Sequence, residues 1–253
     1  MPNWPDIARR ISKATETPFS PREQRPVGGG CINRAYVVSD AERRYFVKLN
    51  ASETLDMFAA EAEGLSEIIK SKSVRAPRPL CWGVSDNNAF IVLEYLDFDK
   101  RSPSGEADLG QQLAAMHRHT QAHFGWYRDN TIGVTPQINT VEGDWATFWS
   151  RHRLKWQLDL AASKGYGGKL QQLGEAVLAG LPAFFSGYEP AASLLHGDLW
   201  SGNYALTADG PVIFDPAVYY GDRETDLAMT ELFGGFSSAF YAAYRAAYPL
   251  DAG

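Results

Sequence analysis

Three oxygen-bearing side chains stand out by type and spacing. Asp198 and Asn203 lie in His196-Gly197-Asp198-Leu199-Trp200-Ser201-Gly202-Asn203, and Asp215 lies in Phe214-Asp215-Pro216. An aspartate can accept the proton of an attacking hydroxyl. An asparagine five positions on can offer its amide oxygen to a metal. A second aspartate, closing the apolar run Pro211-Val212-Ile213-Phe214, can hold that metal against phosphates. In this order they are the parts that phosphoryl transfer from a magnesium nucleotide requires. Singly, each also fits a turn or a loop residue; the ordered set is what points to chemistry. His196 reads as structural, packing under the loop and bonding its backbone.

The elements that must position this trio follow from pattern. Asp6 to Glu16 reads as an amphipathic helix ended by Thr17-Pro18. Gln24 to Gly28, Arg34 to Ser39 and Arg44 to Leu49 read as strands. The alternation Tyr36/Val38 and Tyr45/Val47, with the polar turn at 40–43, predicts an antiparallel meander. A helix follows, capped by Asn50 or Ser52 and running to about Lys70, with Leu55, Phe58, Ala62, Leu65 and Ile69 on one stripe. Beyond Ala76-Pro77-Arg78-Pro79 come strands Leu80 to Val84 and Ala89 to Glu94. Helices dominate afterwards, at about 106–120, 144–162, 169–181 and 224–233, the first with Leu109, Leu113, Met116 and His117 on one face. The pattern predicts an α+β chain of two lobes: residues 1–95 form a five-stranded antiparallel sheet plus helix, and residues 96–253 are mainly helical. The cleft between such lobes is a natural nucleotide site.

Gly28-Gly29-Gly30 sits between the first two strands, where glycine lets backbone amides approach phosphate oxygens. No helix follows, which excludes a dinucleotide fingerprint, and no Gly-Lys-Ser/Thr is present, which excludes a Walker loop. Lys48 ends the third strand. In a two-lobed kinase a lysine there reaches the α- and β-phosphates and pairs with a carboxylate on the next helix. Glu61 is the expected partner, since it shares a helical face with Phe58 and Leu65, whereas Glu63 points more toward solvent.

The net charge of −6 argues against a nucleic-acid partner, which calls for a basic face. No apolar run approaches the roughly 20 residues that span a bilayer, and the N-terminus lacks the apolar core of a secretory signal. Two cysteines, Cys31 and Cys81, make no disulfide framework, so a reducing cytoplasm is expected. Cys31 adjoins the glycine run, where amides lower a thiol pKa; it is a candidate redox residue that couples two subunits or blocks nucleotide entry, or simply fills a turn. Cys81 reads as an inert thiol. His117, His119 and His123 have no carboxylate or thiol at ligand spacing, so no metal site is assigned to them.

Gly28-Gly29-Gly30-Cys31-Ile32-Asn33, Val47-Lys48, Met57-Phe58-Ala59-Ala60-Glu61 and the segment 196–203 together resemble the fructosamine kinase family. These are ketosamine kinases, in the aminoglycoside-phosphotransferase-like branch of the protein-kinase-like fold. Trp200, Asp215-Pro216-Ala217 in place of Asp-Phe-Gly, Asp144-Trp145, Arg151-His152-Arg153-Leu154 and Phe233-Gly234-Gly235-Phe236 carry the same resemblance, from about Pro18 to Tyr244. It implies an enzyme using ATP and Mg2+ to phosphorylate the O3 hydroxyl of ketosamines such as fructosamine or ribulosamine, free or on glycated protein lysines. The phosphorylated adduct is unstable and releases its amine, which is deglycation. By matching position, Asp198 is the base, Asn203 and Asp215 are magnesium ligands, and Lys48 with Glu61 clamps the phosphates. Gly28, Gly29 and Gly30 cover them, and Glu94, Tyr95 and Leu96 hold the adenine. Trp200 stacks on the sugar or packs in the core, while Asp222 and Asp226 brace the catalytic loop.

Family members usually continue for several helical turns past the position of Tyr248, so an open acceptor pocket or a truncation is expected. A same-fold kinase of an aminoglycoside, choline or an amino alcohol is the nearest rival, with Trp145, Trp149, Trp156 and Trp200 favouring a sugar face. A non-catalytic nucleotide-binding protein is the other, opposed by the intact Lys-Asp-Asn-Asp set. The chain is expected to be a monomer or a dimer.

Overall fold

An amphipathic helix, α1 (Trp4–Thr15), opens the chain, and it is closed at both ends by local chemistry. The Asn3 side chain accepts from the Asp6 N–H, and Glu16 takes a left-handed conformation at the C-cap. The computed structural model describes residues 2–28, 32–98 and 105–251. Three strands follow, β1 (Glu23–Val27), β2 (Arg34–Ser39) and β3 (Arg44–Ala51), then α2 (Leu55–Ser71), β4 (Pro79–Ser85) and β5 (Asn88–Glu94). They form one antiparallel sheet in the order β1-β2-β3-β5-β4.

The period of two along a strand places the chemistry. On β3, Val47 and Leu49 turn toward α1 and join Ile7, Ile11, Phe90 and Val92 in one core. Phe46 and Lys48, which alternate with them, face the other way, into the cleft. On β5, Ala89, Ile91 and Leu93 join a second, larger core that includes Phe58, Ala62, Leu65 and Ile68 of α2. Fully burying side chains of this size contributes about 1.5–3 kcal/mol each, so the sheet is held from both faces.

The predicted cap of α2 is corrected. Neither Asn50 nor Ser52 caps it; a 3-10 turn, Ser52–Thr54, intervenes. Asn50 instead donates to the Asn33 side chain at 2.8 Å, tying the end of β3 to the segment after the glycine run.

The rest of the chain is helical with short strands the sequence did not reveal. It runs α3 (Gly105–His117), β6 (Thr120–Gln121), β7 (Asn130–Ile132), β8 (Thr135–Gln137) and α4 (Trp145–Trp149), which passes through a π-helical turn (Ser150–Lys155) into α5 (Trp156–Ser163). The single helix expected over 144–162 is thus interrupted, with Asp144 as its side-chain N-cap. Next come α6 (Lys169–Phe184), β9 (Ala192–Leu195), β10 (Tyr204–Thr207), β11 (Gly210–Ile213), β12 (Tyr219–Gly221), α7 (Glu224–Leu232) and α8 (Ser238–Ala247). The three-stranded sheet β12-β9-β6 and the hairpin β10-β11 carry the two segments singled out by sequence.

Helix α8 was not anticipated. Its Phe240 and Tyr244, one turn apart, are fully buried against α3. The two helices meet at Gly110, where an added Cβ would lie 2.3 Å from the Phe240 carbonyl oxygen and 3.1 Å from the Tyr244 nitrogen. On propensity alone, Gly110→Ala would stabilise a helix by about 1 kcal/mol. Here the methyl meets backbone that cannot step aside, so a urea midpoint should show a loss of about 1–3 kcal/mol instead. A stabilised Gly110→Ala would contradict this packing.

Candidate active site

Strand β9 is buried at all four positions and delivers His196-Gly197-Asp198 to the base of the cleft. His196 is fully buried. Its Nε2 donates to the Phe214 carbonyl at 3.0 Å, and its Nδ1 accepts from the Asp198 N–H at 3.3 Å. Burial pushes its pKa down, and the acceptor at Nδ1 fits the neutral ring. It is a strut between the segment that carries Asp198 and the one that carries Asp215. Gly197 has φ +81°, and a Cβ there would sit 2.1 Å from the Ala217 carbonyl oxygen, so only glycine fits.

Asp226, on α7 and wholly buried, accepts from the His196 N–H at 2.7 Å and the Gly197 N–H at 2.9 Å. It also meets His117 Nε2 at 3.2 Å, whose Nδ1 contacts the Tyr244 hydroxyl at 2.8 Å. Burial alone would raise the Asp226 pKa, but His117, His196 and the Gly197 N–H more than offset it and hold it low. Asp226 therefore braces the loop. Asp222 does not: it accepts from the Glu224 N–H at 3.0 Å and the Tyr188 hydroxyl at 3.2 Å, fixing the start of α7.

Asp198 faces the cleft. Asn203, on a 3-10 turn, donates its Nδ2 to Asp198 Oδ2 at 3.1 Å and to the Asp198 carbonyl at 2.9 Å. The amide oxygen of Asn203 is the end left for a cation. Burial pushes the Asp198 carboxyl up to about 6; Asp215 and Asp226 add to the rise, and the Asn203 bond opposes it. Asp215 follows β11 and adopts φ +57°, a left-handed conformation a non-glycine residue rarely takes; such strain concentrates at functional sites. The Phe214 N–H donates to the Asn203 carbonyl at 3.0 Å, coupling the two segments.

From the sheet, Lys48 Nζ meets Glu61 Oε1 at 2.7 Å and also Asp215 Oδ1. Burial would depress the lysine pKa, but the two carboxylates outweigh it and raise it, so the ammonium stays charged. Glu63, the alternative, pairs elsewhere, with Arg128 at 2.8 Å.

Gly28, Lys48, Glu61, Glu94, Tyr95, Leu96, Asp198, Trp200, Asn203 and Asp215 all line one cavity of about 790 Å³. Gly29, Gly30 and Cys31 lie outside the described residues. Cys81 is a free thiol whose pKa burial pushes up to about 11, fitting an inert role. The Glu94 side chain turns from the cleft to Arg75, at 3.1 Å, leaving main chain along that wall. Trp200 is not a core residue: it is 37% exposed and lies edge-on to Phe233, and its ring covers Gly202, where an added Cβ would be 2.3 Å from ring carbon. The other tryptophans expected at the acceptor do not line the cleft. Trp145 is core, Trp149 packs on that core, and Trp156 donates to the Pro136 carbonyl at 2.9 Å.

Sequence reasoning missed the cleft's apolar bay of Ala35, Phe46, Leu93 and Phe214, and the buried amide Asn130. Strand alternation from Lys48 would have found Phe46, but Asn130 carried no signal. The bay suits a flat heterocycle, and the lysine end suits its phosphates. Asn203 and Asp215 offer hard oxygens of the type magnesium takes, few enough to leave positions for phosphate and water.

The family model for fructosamine kinase matches residues 3–253. A protein of Synechocystis sp. named a probable ketoamine kinase is 46% identical over 252 residues, 99% of this chain and 84% of its own length. A chloroplastic protein-ribulosamine 3-kinase of rice (Oryza sativa subsp. indica) is 38% identical over 231 residues, 90% of this chain and 67% of its own. A crystal structure from Haemophilus somnus 129PT, provisionally named a fructosamine-3-kinase, superposes with a TM-score of 0.91 at 28% identity, over 98% of this chain and 84% of that one. Aminoglycoside phosphotransferases and a choline kinase, at 17% identity or less, share only the two-lobed protein-kinase-like fold. The chain belongs to the fructosamine kinase family.

Proposed function

We propose that this chain transfers the γ-phosphoryl group of ATP to the O3 hydroxyl of a ketosamine, such as fructosamine or ribulosamine, free or on a glycated lysine. The observation that carries the reading is Lys48 bonded at once to Glu61 and Asp215, which joins strand β3, helix α2 and the end of β11 at one point. Residues 1–95 form the ATP-binding lobe and 96–253 the catalytic and acceptor lobe. No helix among the described residues is long and apolar enough to cross a membrane; the compartment we infer is cytoplasmic.

When bound, ATP with magnesium supplies the phosphoryl group and disperses its developing charge. Lys48, kept protonated by two carboxylates, is a fixed cation for the α- and β-phosphates. Asn203 and Asp215 would hold the magnesium, and the glycines at 28–30 would cover the phosphates. Main-chain groups of Glu94, Tyr95 and Leu96 would hold the adenine above the apolar bay. Asp198 takes the proton of the sugar hydroxyl as its oxygen attacks phosphorus. Asn203 fixes Asp198 Oδ2, so Oδ1 is the oxygen left for that hydroxyl. Trp200 offers an exposed ring face to the apolar side of the sugar.

An acceptor panel read by ADP release tests this. Magnesium-dependent turnover is expected with fructosyl- or ribulosyl-lysine and not with aminoglycosides, choline or amino alcohols. Turnover only with one of the latter would replace the acceptor, and no turnover with any would remove the activity.

A further inference from the structure

Helix α2 carries more than Glu61. Asp56, Glu63 and Glu67 fall at i, i+7 and i+11, one stripe of the helix, well round from Glu61. All three carboxylates of that stripe are held by the catalytic lobe. Arg128 spans Asp56 and Glu63, the latter at 2.8 Å, with only 18% of its side chain exposed. The Tyr127 hydroxyl donates to Glu63, and the Tyr220 hydroxyl donates to Glu67 at 2.9 Å.

The arm that presents Arg128 is itself fixed. Gly125 and Tyr220 exchange backbone bonds at 2.8 and 2.9 Å, and the Arg128 carbonyl accepts from Asn139 at 3.1 Å. Between the two grips, Gly64 lets the helix close on the segment after Asp215: a Cβ there would meet Val218 at 3.1 Å. Isolated surface ion pairs contribute little. This set is different, because one guanidinium and two phenols bind three carboxylates on a helix already packed into the larger core.

We propose that Arg128, with Tyr127 and Tyr220, is a positioning residue that latches α2 onto the catalytic lobe and so holds Glu61 at Lys48. The inference rests on the proposed role of the Lys48–Glu61 pair in holding ATP.

Two readouts test it on the full chain. In hydrogen exchange without nucleotide, Arg128→Ala and Glu63→Gln should each speed exchange of the α2 amides by roughly tenfold, leaving α3 and α8 protected. In kinetics, Arg128→Ala should lower kcat/KM for ATP by roughly tenfold in the native background, and by less than about twofold when Glu61→Gln is already present. Arg128→Lys, which reaches one carboxylate at a time, should fall between. Unchanged α2 exchange, or an equal kinetic loss in both backgrounds, would overturn the latch. Should Glu61→Gln alone leave ATP turnover intact, the clamp reading fails, and exchange still decides the latch.

Discussion

Asp198→Asn is expected to keep nucleotide affinity, lose about 10²–10⁴-fold in kcat, and unfold at a higher temperature than the native chain. The rate loss follows from removing the proposed proton acceptor while the Lys48–Asp215–Asn203 end stays as built. An asparagine at 198 still offers an oxygen to Asn203 Nδ2, so the loop keeps its bond.

The stability gain follows from the pKa. Burial pushes Asp198 up to about 6, so the folded chain binds its proton more tightly than the unfolded chain does. Stability from that proton is full below the ordinary carboxylate value of about 3.9 and is lost as pH rises through about 6. At neutral pH the ionised carboxylate is therefore a net cost. The whole shift corresponds to roughly 3 kcal/mol; solvent access from the cleft screens this to about 1–2 kcal/mol. In the native enzyme kcat/KM, which reports ionisation of the free protein, should fall as pH drops below about 6. Full kcat in the variant would remove Asp198 from its role, and a lowered melting point would refute the burial cost.

Asp226→Asn should do the opposite to stability while also lowering activity. Asp226 Oδ2 accepts from the His196 N–H and meets His117, and Oδ1 accepts from the Gly197 N–H. An amide has only one acceptor oxygen, so its NH2 must face a backbone donor in a site with no water access. An unsatisfied buried group of this kind costs about 1–3 kcal/mol. The loop can escape only by shifting, and Gly197 already touches the Ala217 carbonyl. A displacement of about 1 Å at Asp198 is enough for roughly 10² in rate. Urea unfolding and steady-state kinetics on the same preparation test both halves. A variant with native kcat would show that Asp226 does not position the loop.

The candidate site was legible in the sequence where spacing is short and ordered. Asp198, Asn203 and Asp215 lie within 18 positions, and Lys48 and Glu61 within 14, and both groups reach the same cleft. In the five-stranded sheet, β2 and β3 were legible from the alternation Tyr36/Val38 and Tyr45/Val47, whereas β5 is an unbroken apolar run, legible through the polar turn before it. The short strands β6 to β8 were not, since two or three residues carry no periodicity; β6 pairs with the remote β9, and β7 and β8 form a small hairpin over Gly133-Val134. Helix α8 was hidden because Phe240 and Tyr244 acquire a partner surface only once α3 is in place. The tryptophans misled for a related reason: a large aromatic ring reads the same whether it faces a ligand or, as with Trp145, the core. Arg128 gave no signal at all, because its two carboxylates are remote in sequence.

The central claim is tested most directly on the product itself. The chain is incubated with magnesium ATP and fructosyl- or ribulosyl-lysine, and the phosphorylated sugar is examined by phosphorus–proton correlation NMR. Phosphorus coupled to the proton on C3, absent with Asp198→Asn, is the predicted result. Phosphorus on another oxygen, or no sugar ester while ATP is bound, would contradict the assignment of this cleft.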